Sequence, residues 1–373
     1  MTYLDSGATS FPKPPTVIQA MLRAMETCGN PGRGGYEAAM RAARTVLRCR
    51  ERAGEVFACD PEQVVCTASC THGLNMAIRT LVRPGSRVVI SGFEHNAVTR
   101  PLHAIGARVF VAGRKLFDPV DTLEQFETAL KRGADVAVFT HVSNVFGYIL
   151  PVEEMAQLCR QYRVPFVVDC AQSAGTLSVS LRGWGADFIA MPGHKGLLGP
   201  MGTGLLLCGR VPIPLLAGGT GSQSQRQEMP DFLPDAGEAG TVNVPGIAGL
   251  CAGLEYVQKE GIGRIFAREQ QEMRRCVRKM EKFGYTVFTG ENQCGTLSFV
   301  PECGCEEMAE FLGKQGICVR AGLHCAPLAH ESAGTLDTGT VRISFGHEAC
   351  PGQTGNLVFA LEKFRNYGGK TPA

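Results

Sequence analysis

What the chain lacks narrows its function first. No run reaches the roughly 18 apolar residues of a membrane-spanning helix, since the greasiest stretch, GTGLLLCGRVPIPLLAGG, is cut by Arg210, Pro212 and Pro214. The opening MTYLDSGATSFPKP has neither the basic n-region nor the apolar h-region of a secretory signal, so a cytoplasmic protein is expected. There is no basic block: Lys+Arg 37 against Asp+Glu 35 leaves a net charge of +2. Neutralising a row of phosphates needs clustered cations, so the expected partners are small molecules or other proteins, without nucleic acid or membrane. Charged residues are only 19 %, under the roughly 25 % of an average globular chain, while Gly 46 exceeds the usual ~7 %. A folded enzyme with much special turn geometry fits both departures.

The 16 cysteines contain no CxxC pair and are scattered through apolar runs, as at Cys66, Cys159, Cys208 and Cys251; they read as reduced, small core residues. Cys303-Gly304-Cys305 has no second pair or neighbouring histidine and reads as a turn before a helix, so no metal is expected. No repeat of 20–50 residues and no low-complexity linker is present. Also missing are a Walker A loop and a G-x-G-x-x-G after the first strand of a βαβ unit, which disfavours nucleotide enzymes of those two kinds.

What is there begins with length. At ~150 residues per domain, 373 residues make about two domains. Between residues ~60 and 210, QVVCTA, SRVVISG, ARVFVAG, DVAVFTH, VPFVVDC, DFIAMPG and GTGLLLC are short Val/Ile/Phe-rich runs, several separated by helical periodicity such as Thr122–Lys131 and Val152–Tyr162. Strands alternating with helices predict an α/β domain with a mainly parallel sheet covered on both faces. The remainder mixes helices over 246–282, 306–314 and 353–364 with GTLSFV, ICVR and TVRISF, a smaller α+β domain. The expected division is an N-terminal arm, 1–15, packing on the small domain; a large domain, 16–245; and a small C-terminal domain, 246–373, carrying a cysteine loop.

Ligands of such sheets sit at the carboxyl ends of the strands, and the charged residues of interest fall there. Asp169 ends VPFVVD with Gln172 three residues on, and His194-Lys195 follow DFIAMPG. Singly, each reads as a solvated charge; together they aim a carboxylate and an amine at one crevice. A pyridoxal phosphate (PLP) enzyme needs that pair, the amine to bind the cofactor aldehyde and the carboxylate to pair with the pyridinium nitrogen. QVVCTASCTHGLNMAIRTL supplies a strand, the polar turn Ser69-Cys70-Thr71-His72-Gly73, then a helix, either a phosphate cradle or a plain N-cap. His95 in SGFEHNAVTR and Asn144 after DVAVFTHVS occupy further strand ends, as ring-stacking and oxygen-bonding candidates or as structural residues.

The motifs YLDSGATSFPKP, NPGRGGYE, TASCTHGLN, FEHNA, THVSNVFG, DCAQSAG, MPGHKGLLGPMGTG, GEAGTVN and RAGLHCAP together resemble class V aminotransferases, in their cysteine desulfurase and selenocysteine lyase branch, nearly end to end and in order. The resemblance implies a fold-type I, PLP-dependent homodimer with a seven-stranded large-domain sheet. It implies Lys195 as the Schiff-base lysine, Asp169 on the ring nitrogen, Gln172 on the phenolic oxygen and His95 stacked on the ring. Asn144 would lie beside cofactor and substrate, with Cys70, Thr71 and His194 at the phosphate and Thr220 and Ser222 reaching the partner subunit's phosphate. Arg342 in TVRISF would take the substrate carboxylate, for which a planar fork suits, and Arg33 lies in a second substrate-side motif.

Cys325 in RAGLHCAP matches the cysteine that becomes a persulfide, with His95 and Lys195 as its catalytic companions. By composition alone it would be one more buried thiol. Its neighbours His324 and the Gly/Ser/Thr/Asp-rich stretch Ala329–Gly339 suggest instead a thiol on a moving polar segment beside an imidazole, whose positive charge would lower the thiol from about 8.5. Leu323 stands where the branch often has a first histidine, and His72 where many members have glutamate. The expected activity is conversion of L-cysteine to L-alanine with sulfur left on Cys325, for passage to a sulfur-acceptor protein. The rivals are a selenocysteine lyase, a class V transaminase, and a catalytically silent binding protein.

Overall fold

The computed structural model describes residues 1–32 and 34–366. The chain opens on an arm whose short strand β1 (Thr2–Tyr3) pairs far along the sequence, parallel to Ile317–Cys318. Seven strands then build the central sheet: β2 (Val64–Thr67), β3 (Arg87–Ser91), β4 (Arg108–Ala112), β5 (Val136–Thr140), β6 (Phe166–Asp169), β7 (Phe188–Pro192) and β8 (Gly204–Cys208), in the order β2-β8-β7-β6-β5-β3-β4. These are the seven runs legible in the sequence. β5 to β8 are buried at every position, as strands covered on both faces must be, which is why they read as continuous apolar runs and not as alternating ones. At the sheet edge β4 leaves Val109 and Phe110 exposed.

β8 runs antiparallel to both neighbours, β7 and β2. The segment between β7 and β8, residues 193–203, is a turn without a helix, and so short a link cannot make the crossover that a parallel return requires. That turn carries Lys195. Phe57, Phe93, Phe126 and Phe139 fill one face of the sheet; Leu74, Ile78, Val88 and Ile90 fill the other.

The small domain is a four-stranded antiparallel sheet of β9 (Val287–Phe288), β10 (Thr296–Phe299), β12 (Arg320–Gly322) and β13 (Thr340–Ser344), in the order β12-β13-β10-β9, while β11 (Ile317–Cys318) pairs with the arm. Its core of Met273, Leu297, Phe299, Met308, Phe311, Ile343 and Leu361 also takes Leu4 from the arm. The helix Val244–Glu260 places Val244, Ile247, Leu250 and Leu254 in the large core. Gly304 caps the helix Cys305–Lys314, so Cys303-Gly304-Cys305 is indeed a turn before a helix.

Candidate active site

A cavity of about 350 Å³ opens at the carboxyl ends of the strands, lined by Cys70, Thr71, His95, Asn144, Asp169, Gln172, His194, Lys195, Cys325 and Arg342, among others. Register explains the convergence: Thr140 and Ala190 flank Asp169 on β5 and β7, and the turn after β7 swings Lys195 back over the strand ends. Volumes of this order suit a small cofactor with its substrate.

Asp169 is 2 % exposed; it accepts hydrogen bonds from the Ala171 amide (2.9 Å) and the Cys70 thiol (3.3 Å). Burial, with the Arg342 guanidinium nearby, pushes the Lys195 ammonium down, so its neutral, nucleophilic form is easier to reach. His95 caps the helix Asn96–Ile105, its Nδ1 accepting from the Ala97 amide at 3.0 Å. That bond keeps Nδ1 unprotonated, and burial lowers the imidazole, against the pull of Asp169. The ring is therefore fixed, neutral and protonated on Nε2.

Ser69 caps the 12-residue helix Cys70–Leu81 by accepting from the His72 amide at 3.1 Å. As at any helix start, the first amides have no intrahelical acceptor, and here those of Cys70 and Thr71 belong to cavity-lining residues. Asn144 donates from Nδ2 to the His324 carbonyl at 2.7 Å; its buried Oδ1 and the buried His194 Nδ1 have no partner among the described residues. Gln172 donates to the Gly7 carbonyl at 3.0 Å. Thr220 and Ser222 do not line this cavity; Ser222 bonds the Asp235 carboxylate. Arg33 lies outside the described residues. His72 turns its Nδ1 to the Ala68 amide at 3.3 Å, and Leu323 is 40 % exposed.

Arg342 is 3 % exposed, with Nη1 donating to the Asn144 carbonyl (3.0 Å), Nη2 to Asp5 (2.8 Å), and Nε without a partner among the described residues. Asp5 simultaneously receives Arg320 from Nη2 (2.9 Å) and Nε (3.1 Å). Neither Asp5 nor Arg320 is singled out by the sequence reading. The arm also converges on one carbonyl: Thr9, Ser10 and Lys13 all donate to His194 O, at 3.0, 3.1 and 2.7 Å. It thereby braces the peptide just before Lys195.

Two expectations about Cys325 are corrected. The stretch Ala329–Gly339 is not too polar for a core: Pro327–Ala333 is a helix, Ala329 and His330 are fully buried, and His330 shares a 2.8 Å hydrogen bond with Thr335, while residues 336–338 are exposed. Polar residues enter a core when they satisfy one another. Nor is His324 a cation. It is buried, its Nε2 donates to the Thr340 carbonyl at 3.1 Å, and burial lowers it to about 3, with Arg342 adding to the effect. The Arg320 side chain lines the same cavity as Cys325. Cys325 itself is exposed and held by its carbonyl, which accepts from the Asn96 amide at 2.7 Å. His324 and Cys325 have φ of +49° and +56°, two consecutive left-handed residues, each costing about 1–2 kcal/mol. Strain of this kind persists only where surroundings over-determine it, and here Asn96, Asn144 and Thr340 do so.

Known proteins share this architecture. A chain named probable cysteine desulfurase from Methanothermobacter thermautotrophicus is 33 % identical, covering 92 % of this chain and 89 % of its own. One named cysteine desulfurase from Escherichia coli is 32 % identical over 87 % of this chain and 84 % of its own. The solved apo structure of a cysteine desulfurase from Thermococcus onnurineus superposes with a TM-score of 0.90 at 28 % identity, covering 98 % of this chain and 94 % of its own. The family described as Aminotransferase class-V matches residues 2–354, and the chain belongs to that PLP-dependent family.

Proposed function

We propose that the protein is a cysteine desulfurase, converting L-cysteine to L-alanine and leaving the sulfur as a persulfide on Cys325. The observation that carries this reading is that one cavity gathers Lys195, Asp169, Arg342 and Cys325. The residues fit PLP. Asn144 Oδ1 and His194 Nδ1 are buried polar atoms without partners among the described residues, which a folded chain tolerates where a bound group or water completes them. The start of the helix Cys70–Leu81, with the Thr71 hydroxyl, supplies anion-binding donors, and Asp169 suits a protonated ring nitrogen. Bound there, PLP supplies the electron sink for the pair left at Cα when its proton departs.

The chain's own residues divide the rest. Arg342 and Asn144 orient the substrate at its carboxylate end. Lys195 Nζ, with its proton affinity lowered by burial, takes the Cα proton. His95 would offer the cofactor ring a neutral surface, and Gln172, Cys70, Thr71 and His194, which line the same cavity, would hold its polar groups. The Cys325 thiolate attacks the substrate sulfur; the S–S bond forms, the Cβ–S bond breaks with its electrons staying on the carbon skeleton, and protons taken up there complete alanine. The exposed sulfur of Cys325 is then reachable by an acceptor protein's thiol.

The active assembly in this reading is a homodimer. Ile18, Leu22 and Met25 of the helix Pro15–Thr27 and Met40 and Leu47 of the helix Glu37–Phe57 are exposed apolar side chains, a surface that a second copy would cover. Thr220 and Ser222, absent from their own chain's cavity, would reach the partner's. The test is alanine formation from L-cysteine and from L-selenocysteine side by side, with and without a thiol reductant. Alanine from cysteine supports the reading; release from selenocysteine alone refutes it in favour of a lyase.

A further inference from the structure

Lys195 borders a second space. A small chamber of about 40 Å³ lies between the arm, the large domain and the small domain, lined by Ser6, Ser10, Gln172, Lys195, Glu269 and His347, among others. Gly7, Ala171, Gln172 and Lys195 line both this chamber and the substrate cavity. At ~10–15 Å³ per water position, the chamber has room for on the order of three waters.

Glu269 is the feature that demands them. It sits in the helix Ile262–Lys282, 6 % exposed, and no hydrogen bond or ion pair from the described residues reaches its carboxyl. Its neighbour Arg268 turns away to the His347 carbonyl (2.7 Å) and to Glu260 (3.3 Å). A Cβ on Gly295 would come within 2.6 Å of Glu269 Cβ and 3.2 Å of Oε2, so a glycine there makes the space the carboxyl occupies. A buried carboxyl with no protein partner costs several kcal/mol unless water satisfies it, and the chamber it lines offers such water the polar side chains of Ser6, Ser10, Gln172 and Lys195.

We propose that this chamber holds ordered water joining Glu269 to Lys195, and that Glu269 is a positioning residue exchanging a proton with Lys195 Nζ away from the substrate cavity. This rests on the PLP-lysine reading of Lys195. The exchange balances without a further reactant: the Lys195 ammonium releases a proton to water, each water passes one on, and the Glu269 carboxylate becomes a carboxylic acid; the reverse path returns it. The groups around Glu269 leave it as the natural acceptor. Burial lowers His347 to about 4, and burial with the Glu269 charge raises the Cys294 thiol to about 12, so neither changes charge near neutrality. Burial raises Glu269 to about 8 while Arg268 opposes it, and burial lowers Lys195. The proton affinities of the acid and the amine therefore converge, the condition for easy transfer in both directions.

The test uses PLP-loaded wild type, Glu269→Gln and Glu269→Asp. Infrared difference spectra at pH 6 should show, beside the contribution of Glu94, a carboxylic-acid carbonyl band in wild type that Glu269→Gln lacks and Glu269→Asp keeps at a shifted position. Exchange of the Cα hydrogen of L-alanine into heavy water at pH 7 should fall at least about tenfold in Glu269→Gln, the low side of what a positioned proton-transfer group contributes. The KM for L-cysteine should stay within about twofold and the pH profile should lose its limb near 8. Wild-type exchange rates and an unchanged pH profile in Glu269→Gln overturn the relay. So does a wild-type spectrum without the acid band, a result that needs no variant to fold. Absence of exchange in wild type itself instead indicts the reading of Lys195.

Discussion

The most exposed point of the site's electrostatics is Asp5, because it holds two arginines and is tethered only by the arm. In Asp5→Ala the Arg342 side chain, 3 % exposed, stays buried with its counter-ion gone, retaining only the Asn144 carbonyl. Breaking a buried pair in this way costs about 3–5 kcal/mol. The lost Arg320 contact adds at most ~1 kcal/mol, since that side chain is 51 % exposed. At ~2.1 cal/mol/K per residue over 373 residues, unfolding entropy is about 0.8 kcal/mol/K, so the midpoint should drop by about 4–8 °C. Asp5→Asn, whose amide oxygen still accepts from Nη2, should lose less. The assay is urea and thermal unfolding of wild type, Asp5→Ala, Arg342→Met and the double variant, with the double variant recovering at least ~2 kcal/mol against the sum of the singles. A loss under 1 kcal/mol for Asp5→Ala, or strict additivity, would refute the argument that Asp5 neutralises a buried charge.

Lys195→Ala should fold and lose the yellow absorbance of lysine-bound PLP; a spectrum like wild type contradicts its role. Arg342→Ala should keep PLP and lose about 2–5 kcal/mol in substrate recognition, the usual loss when one side of a buried charged contact is truncated, read as a fall in kcat/KM for L-cysteine. An unchanged kcat/KM removes Arg342 from the substrate site. Glu94 and Glu269 are both raised to about 8 by burial, so each folded acid holds a proton that the unfolded chain releases near 4.5. Their contribution to stability is complete below that value and fades as pH rises towards 8, by roughly 1 kcal/mol per pH unit for each group. His141, His194 and His347, lowered to about 4 by burial, act oppositely and destabilise the fold as pH drops below about 6.5. Unfolding free energy should therefore peak near pH 5–7, and a curve rising steadily from pH 6 to 8 contradicts these burial effects.

The sheet was legible because its strands are buried at every position: VAVFT, FVVD, FIAMP and GLLLC announce themselves as apolar runs bounded by turn residues. Asp169 and Lys195 were legible for the same reason, as charges immediately after such runs. Asp5 was not, although YLDSGATS lay in plain view, because its meaning is a contact with Arg342 across 337 positions that no local pattern encodes. The same holds for Thr9, Ser10 and Lys13 on the His194 carbonyl. The Cys325 segment misled in a different way. Its Ser, Thr and Asp content implied a solvated loop, whereas His330 and Thr335 satisfy each other and disappear into the core. Composition reports the polarity of a segment, and pairing decides whether that polarity needs water.

The central claim, that Cys325 takes the substrate's sulfur, is tested most directly by mass spectrometry of the holoenzyme after a single exposure to L-cysteine. The peptide carrying Cys325 should gain one sulfur atom in step with one alanine released per site, and Cys325→Ser should bind PLP normally yet form neither product. Alanine at the wild-type rate from Cys325→Ser, or the added sulfur on any of the other 15 cysteines, would contradict it.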